Sequence, residues 1–382
     1  MQSENSSSLM ILLDLSKKFA KSNFDQERAL RVEHIYGTWG MLYAFEVGPF
    51  LSLVPLFVSI LMYIIFKRRG LLGVTQKFIM SNIIMNVCFT STAAIRDGLL
   101  RIFNMNYGFL EYSVCMSMML SLRVQLYFVS TSMWLTSLML LHQVLLIGFP
   151  LRAKLYNGTA FLFTFFIIHF IICSLGFLFL TFPTFESISL VQEYKPGFPL
   201  QRINGCIAEE YTFLGNYIEP DMIVILSLGL FLYTKLVPFA LNVVSIIALI
   251  ILLAKHIRTL SLLVHNVTGR QIKYVVLMKV NICLGVSFIL QELPVIILQF
   301  YQFKNNEGGA ETKGIFFEYQ GITNIAMSIS FCIGKPIDLL IYSSLSKAFQ
   351  EEMKHLLFCG WKRSQKDSTT TAKTYPAQTT AK

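Results

Sequence analysis

The run Val286–Tyr301, VSFILQELPVIILQFY, sets Glu292 two residues before Pro294 inside a mostly apolar stretch. A carboxylate there must be desolvated, and a proline lacks the N–H that a helix needs. Whether the chain can accept both depends on the solvent around the run. The chain has 382 residues, 54% of them hydrophobic, 33 of them Phe, and 14% charged. Soluble domains carry about 25% charged residues, so this composition points to a bilayer. The net charge of +10 suggests nucleic acid until its distribution is read. The start, MQSENSSSLMILLDLSKKF, has too short an apolar core for a secretory signal, so the first true span is expected to act as its own signal.

Apolar runs of about 20 residues cross the ~30 Å hydrocarbon layer as helices. Seven such runs occur, near 43–66, 78–100, 112–147, 159–182, 223–254, 274–301 and 318–342. The second is the weakest, interrupted by Asn82, Asn86 and several small hydroxyl residues. No internal repeat is evident. The fold class expected is an all-α membrane protein, a seven-helix bundle over 43–342. A segment 1–42 precedes it, and an amphipathic helix 343–358 and a disordered tail 359–382 follow.

Charge sets the direction. The loops KRRGLLGVTQK, FPLRAKLYNG and KHIRTLSLLVHNVTGRQIK hold ten Lys or Arg and no Asp or Glu. The alternate loops carry Asp97, Glu111, Glu186, Glu193, Glu209, Glu210, Glu219, Asp221, Glu307, Glu311 and Glu318. Basic loops stay in the cytoplasm, which puts the N-terminus outside and the C-terminus inside; the plasma membrane is the location that the family resemblance given below implies. Positive charge gathered on one side of a membrane belongs to topology, so no nucleic-acid partner is expected. The acidic outer side suits a cationic partner as well as plain solvation.

Cys115 and Cys206 both fall on the outer, oxidising side, where a bridge can form and persist. Asn5, in an outside sequon, is a glycosylation candidate, whereas Asn157 and Asn266 are expected in the cytoplasm and unused. Leu345, Phe349, Met353, Leu356 and Leu357 fall on one helical face, as in a helix lying on the inner membrane surface against lipid. Cys359 directly after it is a palmitoylation candidate.

Seven spans, an outside N-terminus, a Cys pair joining span three to the second outer loop and an amphipathic eighth helix resemble the rhodopsin-like G-protein-coupled receptors, over about residues 41–358. FILQELP with Phe288, Glu292 and Pro294, KLVPFALNVV with Lys235 and Pro238, and IDLLIYSSLSKAF with Asp338 and Tyr342 resemble the invertebrate myosuppressin and FMRFamide-like neuropeptide receptors. The resemblance implies a Cys115–Cys206 disulfide, an extracellular peptide ligand, a heterotrimeric G protein and arrestin as partners, and no cofactor. It also implies a polar switch cluster around Asn86, Asp338 and Tyr342. The chain departs from the family where an Asp-Arg-Tyr motif is usual: His142, Gln143 and Val144 stand there, at the expected G-protein face. Span one has no Asn and span four no Trp. Asp338 stands where the family has Asn, and Asn86 near where it has Asp.

Charges inside a bilayer cost at least ~2.5–3.5 kcal/mol each and normally face a bundle interior. Lys335 and Asp338, three residues apart, can pair along one helix. Arg123 lies eight residues past Cys115, about 12 Å along a helix, and Glu292 lies at similar depth. The expectation is that Glu292 pairs with Arg123 or Lys235, where Pro294 bends and partly unwinds the helix, and that this cluster also reads ligand charge. Two alternatives remain: a chemosensory receptor for a small molecule, and a transporter or channel subunit, for which the expected repeats are missing. His142 and His169 are too isolated for a metal site, Trp134 reads as packing, and no nucleophile–base pair or phosphate loop suggests an enzyme.

Overall fold

In a computed structural model the chain is described over residues 46–68, 74–102, 111–149, 158–180, 183–193, 200–212, 217, 219–262, 269–306 and 313–357. Asn5, Asn157, Asn266 and Cys359, with all of segment 1–42 and tail 359–382, lie outside the described residues. Among the described residues four helices come first: α1 Gly48–Arg68, α2 Val74–Ile102, α3 Tyr112–Gly148 and α4 Gly158–Ser174, the last extended by a π-helical stretch Leu175–Leu180. Strands β1 Pro183–Glu193 and β2 Leu200–Thr212 follow. The next helix, α5, has three pieces: Pro220–Phe231, a π turn Leu232–Leu236, and Val237–Leu262. Then come α6 Gly269–Asn306, α7 Lys313–Leu345 and α8 Lys347–Leu357. Among the described residues, seven helices are long and apolar enough to cross a membrane, the architecture of a multi-pass membrane protein.

Hydrocarbon offers no partner for backbone N–H and C=O groups, so spanning segments must satisfy them internally, as helices do. The hydroxyls that weakened span two follow the same rule. Thr90 Oγ donates to the Asn86 carbonyl at 2.8 Å, and Thr92 Oγ to that of Cys88 at 2.7 Å. Phe57, Phe163, Phe170, Ile251 and Leu290 all point outward and exposed. Water would make that surface unstable, whereas lipid accepts it.

Lipid tails are as apolar as Leu, so packing rather than water exclusion holds such helices together. One cluster joins α2, α3, α6 and α7 through Phe89, Met133, Val295 and Phe331. Another joins α2 to α5 through Phe78, Leu135, Leu140, Leu162 and Leu249. Close approach needs small residues. A Cβ on Gly285 would lie 2.7 Å from Ile246 of α5, and one on Gly334 would overlap the Gln291 side chain of α6.

Several expectations change. The loop between spans four and five is an antiparallel hairpin, with Ser187 opposite Cys206, so the fold is not purely helical. Eleven and thirteen residues with β-branched side chains can ladder, because this segment lies beyond the apolar runs. Asp97 is not a loop residue. It is buried in α2 beside Arg96 at 2.7 Å, and Arg96 also donates to the Gln125 side chain of α3. Pro294 does not unwind α6, which stays α-helical from Gly269 to Asn306. The apolar face of α8 packs on the bundle's own residues. Phe349 is buried against Phe66 and Tyr342, with ring centroids 5.5 Å from each, and Leu345, Met353 and Leu356 join that cluster. Ser346 Oγ caps the helix by accepting from the Phe349 N–H at 3.3 Å.

Candidate functional site

The interior holds two polar layers. The first is built by the π turn of α5. Val237 N–H reaches back five residues to the Leu232 carbonyl, so the turn carries one extra residue, and adjacent Thr234 and Lys235 are both buried. Pro238 explains why the turn forms here. It has no N–H to offer the carbonyls one turn earlier, and α3 supplies donors instead. Trp134 Nε1 donates to the Tyr233 carbonyl at 3.0 Å and Ser130 Oγ to that of Thr234 at 3.5 Å. Ser137 Oγ donates to the Pro238 carbonyl at 2.5 Å. Trp134 is therefore a hydrogen-bond donor as well as packing against Phe165 and Tyr233.

That geometry delivers Lys235 to Glu292. Nζ lies 3.7 Å from Oε2, with the side chains 5% and 7% exposed. This is an ion pair beyond hydrogen-bond distance, and neither atom has a hydrogen-bond partner among the described residues. Of the two cations that the sequence offers Glu292, Lys235 lies within ion-pair distance of it. Arg123 is buried on α3. Phe231, Phe239 and Phe288, each four residues from one partner of the pair, pack together with Val295 and Ile296. Low dielectric strengthens the attraction between the charges, while their desolvation opposes it.

The second layer surrounds a cavity of about 50 Å³ where α1, α2, α3, α6 and α7 converge. Asn86, Phe288, Asp338 and Tyr342, all singled out from the sequence, line it, as do Ser59, Asn82, Thr136, Gln291 and Lys335. Asp338 accepts from Lys335 Nζ at 3.1 Å and from Ser287 Oγ at 3.1 Å. Gln291 in turn donates to Ser287 Oγ at 2.7 Å. Across the cavity Ser132 Oγ lies 2.5 Å from Asn82 Oδ1 and 3.0 Å from Asn86 Oδ1. Asn82 Nδ2 donates to Thr136 Oγ at 3.0 Å. A buried water needs ~10–15 Å³, so the cavity has room for a few waters. It is far below the ~300 Å³ minimum of a drug-sized ligand pocket.

His142 and Gln143 lie near the other end of α3. Gln143 is fully buried, and the His142 ring lies 5.8 Å from that of Phe78. In this arrangement Gln143 faces packing rather than an open surface.

Sequence reading passed over Asn82, Ser132, Thr136, Ser287 and Gln291, because small polar residues in an apolar run are common and only their convergence gives them meaning. It also passed over Asn242 and Asn281. Both are buried, with side-chain amides that have no hydrogen-bond partner among the described residues.

At the Cys115 end, Cys115 and Cys206 form a disulfide, and Glu111 makes an isolated antiparallel bridge with Gly205. The hairpin is thus fixed to the start of α3. No protein-family model and no curated protein matches the chain.

Proposed function

We propose that the chain is a rhodopsin-like G-protein-coupled receptor of the plasma membrane, activated by an extracellular peptide. The N-terminus and hairpin lie outside, and α8 lies on the cytoplasmic side. The observation that carries this reading is the disulfide from the start of α3 to the hairpin, set on seven spanning helices with a polar interior. A bridge of this kind forms and persists in an oxidising compartment, which agrees with the basic loops on the opposite side. The ligand acts nearer the hairpin, and the Lys235–Glu292 pair and Arg123 of α3 are the charges inside the bundle that its binding engages. Movement of α6, which carries Glu292, Gln291 and Ser287, couples the two polar layers to the end where a G protein docks on the His142–Gln143 region.

Expression in a heterologous cell tests this, using a library of amidated peptides with calcium and cAMP readouts. A peptide that signals in transfected cells and is silent in mock-transfected ones is the expected result. If no peptide signals while small odorants do, the chemosensory alternative replaces it.

A further inference from the structure

The hairpin carries an inference that rests on the peptide-receptor reading and gives it a binding mode. Its two edges are not equivalent. Gly205 of β2 bridges Glu111, the neighbouring Cys206 is bonded to Cys115, and α3 touches both strands there. β1 pairs with β2 from Pro183 to Glu193, and among the described residues no strand lies along its other side. In an antiparallel pair alternate residues turn their N–H and C=O groups away from the partner, so β1 presents a row of such groups. Natural edges of this length are usually blunted with Lys, Pro or bulges. β1, PTFESISLVQE, has its Pro at the first position, its register irregularity confined to Pro183–Phe185, and no Lys, so Phe185–Glu193 pairs without interruption. Its Ile188 and Val191 are of a type that favours strand pairing.

Charge selects the occupant. The two strands carry Glu186, Glu193, Glu209 and Glu210 against Arg202 alone. A second copy of the chain would bring like charges together, which disfavours β1–β1 pairing. We propose that the free edge of β1 receives an extended, cationic segment of the peptide ligand as a third strand. Main-chain hydrogen bonds supply affinity, and the hairpin carboxylates choose positive residues.

The test uses the purified full chain in lipid nanodiscs, with amide hydrogen exchange read by mass spectrometry. The probe is acetyl-(Arg-Val)3-amide. Its comparators are the same peptide N-methylated at every second residue, in either of the two phases, and acetyl-(Glu-Val)3-amide. The expected result is at least ~tenfold slower exchange at alternate β1 amides with the Arg-Val probe and with one N-methyl phase. The other phase and the acidic peptide should give no protection. Equal protection by both N-methyl phases would reduce the effect to charge attraction and overturn the proposal, as would protection absent from β1. Slowed exchange without probe that grows with receptor concentration would assign the edge to a second copy instead. Glu186→Gln/Glu193→Gln should weaken probe binding with the Cys115–Cys206 bond intact by mass mapping, and an unchanged affinity would also count against the proposal. No signalling is read here. Binding with a failed peptide screen would sink the receptor reading, and a successful screen without β1 protection would sink only this one.

Discussion

Lys235 and Glu292 hold opposite charges 3.7 Å apart among phenylalanines. At an effective dielectric of about 20 their attraction is ~4–5 kcal/mol, which offsets the desolvation of about one of the two charges. The pair therefore adds no net stability while intact and is costly when halved. Glu292→Leu or Lys235→Met alone should lower unfolding stability by ~3–5 kcal/mol, and the double substitution should recover most of it. Thermal unfolding of detergent-purified variants measures this, and a double variant as damaged as the two losses added would mean that the side chains act independently. Glu292→Gln, which keeps the shape, should lose less than Glu292→Leu. If the carboxylate also reads ligand charge, surviving Glu292→Gln receptors lose potency most for peptides with a positive residue, and replacing that Arg by citrulline costs less there than in wild type.

At the scale of the element, the π turn of α5 depends on a proline and on three side chains of α3. Pro238 leaves carbonyls open at Tyr233 and Thr234, and Trp134 and Ser130 fill them. Trp134→Phe should cost ~1–3 kcal/mol, the price of a buried acceptor left without its donor. Pro238→Ala returns an N–H to α5, lets the helix close its own bonds, and should make Trp134→Phe less damaging. A double-mutant cycle on unfolding measures the coupling, and additive losses would separate the tryptophan from the proline. The π turn also aims Lys235. Closing it should turn Lys235 away from Glu292, so Pro238→Ala should weaken the coupling between those two in the same assay.

At the scale of the whole molecule, one covalent bond joins α3 to the hairpin across 91 residues. Constraining a loop of that size contributes up to ~4–5 kcal/mol on the chain-entropy account. Cys115→Ala and Cys206→Ala should each reduce surface expression strongly, and the double variant should be no worse than either, because all three lose the same bond. Flow cytometry of an N-terminal epitope on unpermeabilised cells reads this, and the signal from wild type tests the proposed outside N-terminus directly. A double variant clearly worse than both singles would give the two cysteines separate roles.

Length and hydropathy were enough to place seven spans, because hydrocarbon demands an apolar run of fixed length and leaves the backbone no partner but itself. The Lys335–Asp338 pair was legible for a similar reason, since three residues along a helix fix the separation. Periodicity likewise marked the apolar face of α8, but not what covers it, which is Phe66 and Tyr342. The hairpin was missed because no long apolar run marks its strands, although Pro196-Gly197 between them is a turn signal, and Asp97 was misplaced because a buried charge reads as a loop until Arg96 and Gln125 are seen around it. Which cation meets Glu292 was undecidable from spacing. Arg123 and Lys235 are both deep, and only the extra residue of the π turn rotates Lys235 inward. The polar cavity is wholly a product of tertiary structure. Its side chains come from five helices, and no local rule in a one-dimensional string reports that Asn86 of α2 and Asp338 of α7 line the same small space.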